Sequence, residues 1–490
     1  MNPSICKKEI MKVALQFILF VLFGIQSYAT LWQVGPARTY TYCSQVAPLV
    51  QDDDTVQIDF ATYINDPQVQ WSKSNLYIVG VGGRPRLQAG SIIANDNVNG
   101  KGIFVISGSN VRVENIEFAN AAVIDMNGAG IRQEGINLFV HACKFDGNEM
   151  GILQGGTIPN CKTTVEYCEF LNGGSSANPG YQHNIYINHI DTLIFRYNFS
   201  YNSIAEGHEF KSRANYNFIL YNTIANYQSV DSRTIDLPNG GTTVLMGNII
   251  EQGPNSANSN ILGYGKEGLS NTAPHELWIV NNTFVNKKTT GSFIDIASGT
   301  NKLFLKNNIL AGAKTGGLIL GTATTLDSSN NFINDFISNC GFVNANTYNY
   351  HLLSNSVSVD AGIAISTSVE GVLLQPDKMY KDTCLFESRP LLNAIDIGAY
   401  EYNSSSSVPE FLVRNNFEIY PNPSSGFITV HYSGTDESQS FQIYNPIGKI
   451  VKEISVHNNE IINVSDLPDG VYFICPKNNS RATLILFHCN

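Results

Sequence analysis

One pattern recurs nine times along this chain: a hydrophobic, β-rich run, then a small or amide residue, then another hydrophobic pair. Successive copies are 23 to 34 residues apart. The repeated small or amide positions are Asn115, Cys143, Cys168, Asn198, Asn222, Asn248, Asn282, Asn308 and Asn331. A repeat of this length that is rich in strand formers and lacks helical periodicity predicts an all-β fold, a parallel β-solenoid.

Asparagine dominates the repeated position, and we interpret it as structural. Asn adopts the left-handed backbone conformation of a sharp corner more readily than most residues, and stacked amides can hydrogen-bond along the axis. Cys143 and Cys168 take this position one coil apart, where side chains about 4.8 Å apart suit a buried ladder of free thiols. The sequence leaves the pairing of Cys161, Cys340 and Cys384 open, since exported proteins can contain disulfides.

The composition limits the partners that such a fold can have. Charged residues make up 14% of the chain, against roughly 25% in typical globular proteins. A formal net charge of −11 argues against nucleic acid as the main partner. A solenoid presents a long groove, so we expect a monomer that binds a polymer.

The N-terminus carries the features of a secretory signal peptide over residues 1–29. Lys7, Lys8 and Lys12 precede the apolar run from Val13 to Ile25, and small residues follow at the expected cleavage site, Ala29. The alternative is a membrane anchor, but 13 mostly apolar residues are too few to span a bilayer. We therefore expect no transmembrane segment in the mature chain.

Two motifs after the last repeat indicate where the solenoid ends. Val359-Asp-Ala-Gly362 and Asp396-Ile-Gly-Ala-Tyr-Glu401 resemble the closing segments of bacterial right-handed β-helix proteins of the pectate-lyase-like superfamily. The resemblance implies a right-handed parallel β-helix, which we place at residues 30–402 with a cap at each end. Residues 403–415, rich in Ser, read as a flexible linker.

Residues 416–490 form a separate module. Short alternating strands separated by Pro, Asn and Gly turns predict a small β-sandwich. The motifs Tyr420-Pro-Asn-Pro-Ser-Ser-Gly426 and Leu467-Pro-Asp-Gly-Val-Tyr472 resemble the C-terminal sorting domain of the type IX secretion system of Bacteroidetes. That resemblance implies export by the type IX machinery to the outer face of the outer membrane. An adhesive β-sandwich without a sorting role is the alternative.

Charged residues concentrate between Glu206 and Arg213, and this cluster suggests chemistry on an acidic polysaccharide. Lys211 and Arg233 are 22 residues apart, close to one repeat, so they can lie on adjacent coils. Eliminating a uronate needs a base for the C5 proton and positive charge at the carboxylate. Lys211 suits the base if neighbouring cations favour its neutral form, and His208 can relay a proton. The substrate contacts that we expect are Arg213, Asp236 and Asn239, beside the catalytic Arg233.

The motifs Lys211-Ser-x-x-Asn215 and Tyr221-Asn-Thr223 resemble the catalytic strand of the alginate lyase and chondroitinase B family. The resemblance implies that Lys211 is the base, Arg233 its arginine partner and Glu206 a calcium ligand, to which the carboxylate of Glu209 could be added. The chain departs from the family where Asp236-Leu-Pro-Asn-Gly240 follows the arginine, and its glutamate spacing fits only one of two expected ligands.

Three other interpretations stay open. The charge cluster can be a solvated turn of little energetic value. The protein can be a non-catalytic surface β-helix that binds glycans or adheres to a partner. It can also be a glycoside hydrolase of the pectin-cleaving type, for which the acidic run Asp52–Asp54 is the only candidate.

Overall fold

A computed structural model describes residues 29–95, 98–382, 384–390, 393–403, 417–421, 424, 426–432, 438–445, 449–468, 470–477 and 483–487. The predicted signal peptide, except Ala29, and the predicted linker, except Asn403, lie outside these residues. The central part of the sorting-domain motif, Asn422 and Pro423, lies outside them as well.

Three parallel sheets form a β-solenoid of about 11 turns, which confirms the predicted parallel β-helix. The first sheet contains Leu31–Val34, Thr55–Asp59, Tyr77–Val81, Val111–Glu114, Leu138–His141, Ile158–Glu166, Ile190–Arg196, Tyr216–Leu220, Thr242–Met246, Glu276–Val280, Thr300–Lys306 and Ala323–Ser329. The second contains Thr62–Ile64, Arg86–Gln88, Glu117–Ala119, Lys144–Asp146, Glu169–Leu171, Phe199–Tyr201, Thr223–Ala225, Ile249–Gln252, Thr283–Asn286, Ile309–Gly312 and Phe332–Asn334. The third contains Val69–Trp71, Gly102–Ile106, Ala129–Gln133, Met150–Gln154, Ile185–Ile187, Phe210–Ser212, Ile235–Leu237, Asn260–Tyr264, Ser292–Ile296 and Ile319–Leu320.

Stacked side chains fill the interior because successive coils pair in parallel register, so like residues lie above one another. Phe118, Phe145 and Phe170 form one such column, with ring centroids 5.3 and 4.7 Å apart. Phe195 of the first sheet packs against Phe170, and Phe210 of the third sheet packs against Phe195; both are also fully buried. Burial of these rings, together with the many aliphatic side chains of the same core, supplies the main favourable free energy of the fold.

The repeated asparagines form a buried ladder along the axis. The Oδ1 atom of Asn248 accepts from the backbone N–H and from Nδ2 of Asn222, both at 2.9 Å, and the same contacts recur at Asn282, Asn308 and Asn331. The structural interpretation is supported, but the left-handed conformation lies elsewhere. It belongs mostly to the preceding residue, for example Tyr221 and Asn281, because the ladder residue itself must point inward.

Cysteines begin the same ladder. The backbone N–H of Cys143 donates to Sγ of Cys168 at 3.4 Å, and Cys168 N–H donates to Oδ1 of Asn198 at 2.9 Å. Both thiols are free and buried, as are those of Cys161, Cys340 and Cys384. Burial raises the pKa of the Cys168 thiol well above its usual range, which makes it inert rather than nucleophilic.

The segment from 336 to 402 folds back along the flank of the solenoid. Its apolar side chains, such as Tyr350 and Ile397, pack on Ile249 and Val285 of the second sheet. The second closing motif has a clear role here, since Asp396 accepts from the N–H groups of residues 360 and 402 at 2.6 and 2.5 Å. This segment contains the hairpins Phe342–Asn344 with Asn349–Leu352, Ser368–Val369 with Val372–Leu373, and Lys378–Lys381 with Leu385–Ser388, and the 3₁₀ turns Ile337–Asn339 and Ala345–Thr347.

The C-terminal module is a pair of antiparallel sheets, as the sequence predicts. Buried side chains that include Val430, Phe441 and Ile474 form its core. One sheet contains Phe417–Tyr420, Phe427–Tyr432 and Glu460–Asn463, and the other Gln439–Tyr444, Ile450–Val456, Gly470–Pro476 and Thr483–Phe487. The remaining described elements are the helix Cys43–Val46 and the short pair Ala94–Asn95 and Val98–Asn99.

Candidate functional site

The third sheet carries a row of polar side chains on its outer face. Parallel register aligns Tyr186, Lys211, Asp236, Gly263 and Asp295, one from each of five successive coils. Most of the neighbouring strand positions are apolar and point into the core, as Phe210 and Ile235 do. Alternation along each strand therefore directs the polar row outward.

Lys211 lies between two carboxylates. Its Nζ atom is 3.3 Å from Oδ2 of Asp236 and 3.2 Å from Oε1 of Glu267, and its side chain is 11% exposed. The Nζ atom also lies 5.6 Å from the centre of the Tyr186 ring. The charged groups nearest to the amine are therefore carboxylates and not the cations that the sequence predicts.

Arg213 is the second cation that pairs with Glu267. Its Nη2 atom is 2.6 Å from Oε2 of Glu267, so one carboxylate joins both cations. Its Nε atom donates to the hydroxyl of Tyr186 at 2.8 Å, and Nη1 donates to Oδ1 of Asn239 at 2.5 Å. Burial opposes ionisation of Glu267, but the Arg213 hydrogen bond and the charge of Lys211 lower the pKa of this carboxyl.

Arg233 approaches the other side of Asp236. Its Nη1 atom is 3.5 Å from Oδ1 of that carboxylate. Gly263 makes room for it, since a Cβ atom there would lie 2.8 Å from both Cδ and Nε of Arg233. Among the described residues Nε of Arg233 has no hydrogen-bond partner although it is buried. Within the described part of the chain this N–H group is therefore an unpaired donor.

His208 sits behind Asp236 and is buried. Its Nδ1–H donates to the carbonyl oxygen of Arg233 at 3.0 Å, which leaves Nε2 3.6 Å from Oδ2 of Asp236. Burial lowers the pKa of His208, partly offset by the Asp236 charge. The ring stacks on that of His183, with centroids 4.9 Å apart. At neutral pH the imidazole is thus mainly uncharged and positioned beside the carboxylate.

Asn239 positions the arginine rather than projecting toward solvent. While its Oδ1 accepts from Arg213, its Nδ2 donates to Oγ of Ser270 at 2.8 Å. Six of the predicted site residues are therefore in one cluster: His208, Lys211, Arg213, Arg233, Asp236 and Asn239.

The structure does not bring Glu206 and Glu209 together. Glu206 is exposed at a turn with φ of 62°. Glu209 is fully buried, and its two oxygens accept from the backbone N–H of Ser203 at 2.8 Å and from Nδ2 of Asn184 at 2.6 Å. This pair does not fit a calcium ion, because the Glu209 oxygens are already used by protein donors. Within the described residues no group of three or more His, Cys, Asp or Glu side chains is arranged to hold a metal.

The acidic run considered for a hydrolase has structural roles. Asp54 is buried and accepts from the N–H groups of Thr30 and Gln51 at 2.6 and 2.7 Å. Asp52 and Asp53 accept from Ser74 and Asn75 at the adjacent turn, at 2.9 and 2.8 Å. These carboxylates accept hydrogen bonds that stabilise turns at the N-terminal end of the solenoid.

Sequence reasoning missed Tyr186 and Glu267. Tyr186 stands 25 residues before Lys211, one repeat length, so the coil spacing could have found it. Glu267 lies 56 residues after Lys211 in the turn between Gly265 and Gly268, and no local pattern connects the two. No local pattern connects Lys266 with Asp295 either, although Nζ of Lys266 is 2.7 Å from Oδ1 of Asp295.

Comparisons with known proteins identify the C-terminal module and the fold. Residues 418–485 match the family model described as a secretion system C-terminal sorting domain. No curated protein matches the chain significantly. The structure is similar to that of pectate lyase Pel9A, with a TM-score of 0.51, 14% identity, and coverage of 77% of this chain and 97% of that one. At this identity the similarity shows a pectate-lyase-like fold and nothing about activity.

A second solved structure, Geobacillus virus E2 ORF18, matches at 13% identity over 86% of this chain and 71% of that one. Its TM-score of 0.34 is too low to support a shared fold.

The sorting domain shows where the protein goes. Domains of this family direct proteins through the type IX secretion machinery, so the chain is secreted, to the cell surface or beyond, and that machinery is one of its partners. Within the described residues, no helix has the length and hydropathy needed to cross a membrane.

Proposed function

We propose that this secreted β-helix protein is a polysaccharide lyase that cleaves a uronate-containing polymer by β-elimination. The observation that carries the proposal is the gathering of Lys211, Arg213 and Arg233 around one outward position of the third sheet. Three cations beside a neutral histidine, in a chain with only 14% charged residues, suit an anionic sugar.

Each charged or titratable side chain of the site has a role in the elimination. Arg233 and Arg213 neutralise the uronate carboxylate, so that the enolate-like intermediate is stabilised as C5 loses its proton. The Lys211 amine accepts that proton, the C4–oxygen bond breaks, and a C4–C5 double bond forms. The leaving oxygen takes up a proton, which His208 relays. Lys211 must first lose its proton, and the nearest groups that can receive it are the carboxylates of Glu267, 3.2 Å away, and Asp236, 3.3 Å away.

Unsaturated product ends absorb in the ultraviolet, which provides the test. The protein is incubated with pectate, alginate, hyaluronan and chondroitin sulfate, and absorbance is followed with time. The Lys211→Ala variant should lower kcat about 10²–10⁴-fold. Arg233→Lys should keep partial activity, because Lys retains the charge but not the planar fork.

The matched control is Lys306→Ala on the first sheet, where Lys306 pairs with Asp327 at 2.8 Å, away from the site. It should retain wild-type activity. A folded Lys211→Ala variant that cleaves as fast as the wild type would show that the site is wrong.

A non-catalytic glycan-binding protein is the second candidate. The pairing of Lys211 and Arg213 with protein carboxylates favours it, because cations that already form ion pairs can bind an anionic sugar without any proton transfer. A flat absorbance trace on every polymer, together with retained polymer binding, would establish this alternative over the lyase.

A further inference from the structure

The carboxylate of Glu267 pairs with two of the three cations of the candidate site. Its Oε1 is 3.2 Å from Nζ of Lys211 and its Oε2 is 2.6 Å from Nη2 of Arg213. The Glu267 side chain is 49% exposed, whereas those of Lys211 and Arg213 are 11% and 15% exposed. An acidic side chain of the protein therefore covers both cations on the solvent side.

The turn that carries Glu267 is anchored through its backbone. The N–H of Glu267 donates to the carbonyl of Pro238 at 3.0 Å, and that of Gly268 donates to Gly265 at 3.0 Å. Gly265 and Gly268 have φ values of 72° and 106°, which suit glycine. Because the backbone is held while the side chain is half exposed, rotation of the Glu267 side chain alone would uncover the cations.

We infer that Glu267 fills the carboxylate subsite of the free protein, and that an acidic sugar binds by exchanging its own carboxylate for that of Glu267. The inference rests on the proposed function for the identity of the ligand. In both states one carboxylate faces Arg213 while Lys211 keeps Asp236 beside it, so neither group is left without a carboxylate partner at low exposure. A neutral sugar has no group that can replace Glu267, and the residue thereby selects for acidic polymers.

Occupation of the subsite by Glu267 has a measurable effect on the affinity for the polymer. When the competent state is only a fraction of the population, the apparent Kd rises by the inverse of that fraction. If Glu267 fills the subsite about 80–95% of the time, its removal should tighten binding about 5–20-fold. A carboxylate that served only to position Lys211 and Arg213 would have the opposite effect, because its loss would loosen both.

The test is affinity electrophoresis of the full-length protein through gels that contain pectate, alginate or hyaluronan. Three proteins are compared: wild type, Glu267→Gln, and the control Glu276→Gln. Glu276 lies on the first sheet, where its carboxylate is 3.7 Å from Nζ of Lys302. Both variants change net charge equally, so the control removes the general effect of charge on a polyanion.

We expect Glu267→Gln to bind at least one of these polymers about 5–20-fold more tightly than the wild type, with Glu276→Gln unchanged. An equal gain in both variants, or unchanged or weaker binding by Glu267→Gln, overturns the inference, and so does the absence of retardation of all three proteins. The absorbance assay is separate: tighter binding without unsaturated product supports the subsite and contradicts only the lyase.

Discussion

At the scale of the residue, the interior contains carboxyl groups whose ionisation opposes folding. Asp231 is fully buried, and neither of its oxygens has a well-aligned hydrogen bond within the described part of the chain. Burial raises its pKa to about 7, and burial also raises that of Glu251 to about 7. Each group is therefore protonated in the folded protein at pH values where the unfolded chain has already lost the proton.

The sign of the pH effect follows from this difference. Between the unfolded pKa, near 4, and the folded pKa the native state holds more protons, so stability falls as pH rises from about 4 to about 7. Asp231→Asn removes one such group, and we expect the variant to be more stable than the wild type at pH 8 by on the order of 1–3 kcal/mol. Denaturant unfolding at pH 5 and pH 8 measures this. If the wild type and Asp231→Asn lose the same stability between pH 5 and pH 8, the raised pKa does not belong to Asp231.

At the scale of the element, the asparagine ladder holds the coils in register. Asn248 is fully buried in its middle, and its Nδ2 donates to the Ile219 carbonyl at 2.7 Å and to Oδ1 of Asn282 at 2.8 Å. Its removal leaves several buried groups unpaired on the adjacent coils. Each such group costs about 1–3 kcal/mol.

We therefore expect Asn248→Ala to lower the free energy of unfolding by about 3–5 kcal/mol, as measured by denaturant titration of the secreted protein. Asn255→Ala is the control, because Asn255 is exposed and its side-chain amide donates to the Gln228 carbonyl at 2.7 Å. Its loss should be within about 0.5 kcal/mol of zero. Equal effects of the two substitutions would mean that the ladder adds no stability.

At the scale of the whole molecule, the sorting domain and the candidate site reside in separate parts of the chain. The matched sorting domain covers residues 418–485, whereas the candidate site lies on the third sheet of the solenoid. Deletion of residues 411–490 should leave the solenoid core intact and retain the protein in the periplasm. Cell fractionation and protease accessibility on intact cells measure its location. Lys211→Ala in the full chain should reach the surface normally, and surface delivery of the truncated protein would refute the sorting role.

Local patterns in the sequence determined the architecture. The repeat around residues 115–331 predicted stacked coils. Strand formers and inward apolar residues recur in each copy, although the turns between them differ in length. The cluster from His208 to Arg213 was visible for the same reason, since its members are close in sequence. The sorting module was predicted from motifs whose turn residues are specific to it.

Only the tertiary structure decided which side chains meet at the site. Coil lengths vary from 23 to 34 residues, so sequence distance does not give the register. Lys211 therefore aligns with Asp236, 25 residues later, and not with Arg233, 22 residues later. Glu267 reaches Lys211 and Arg213 from a turn two coils further on. Stacking brings such distant turns together because adjacent coils are about 4.8 Å apart, however long the chain between them is.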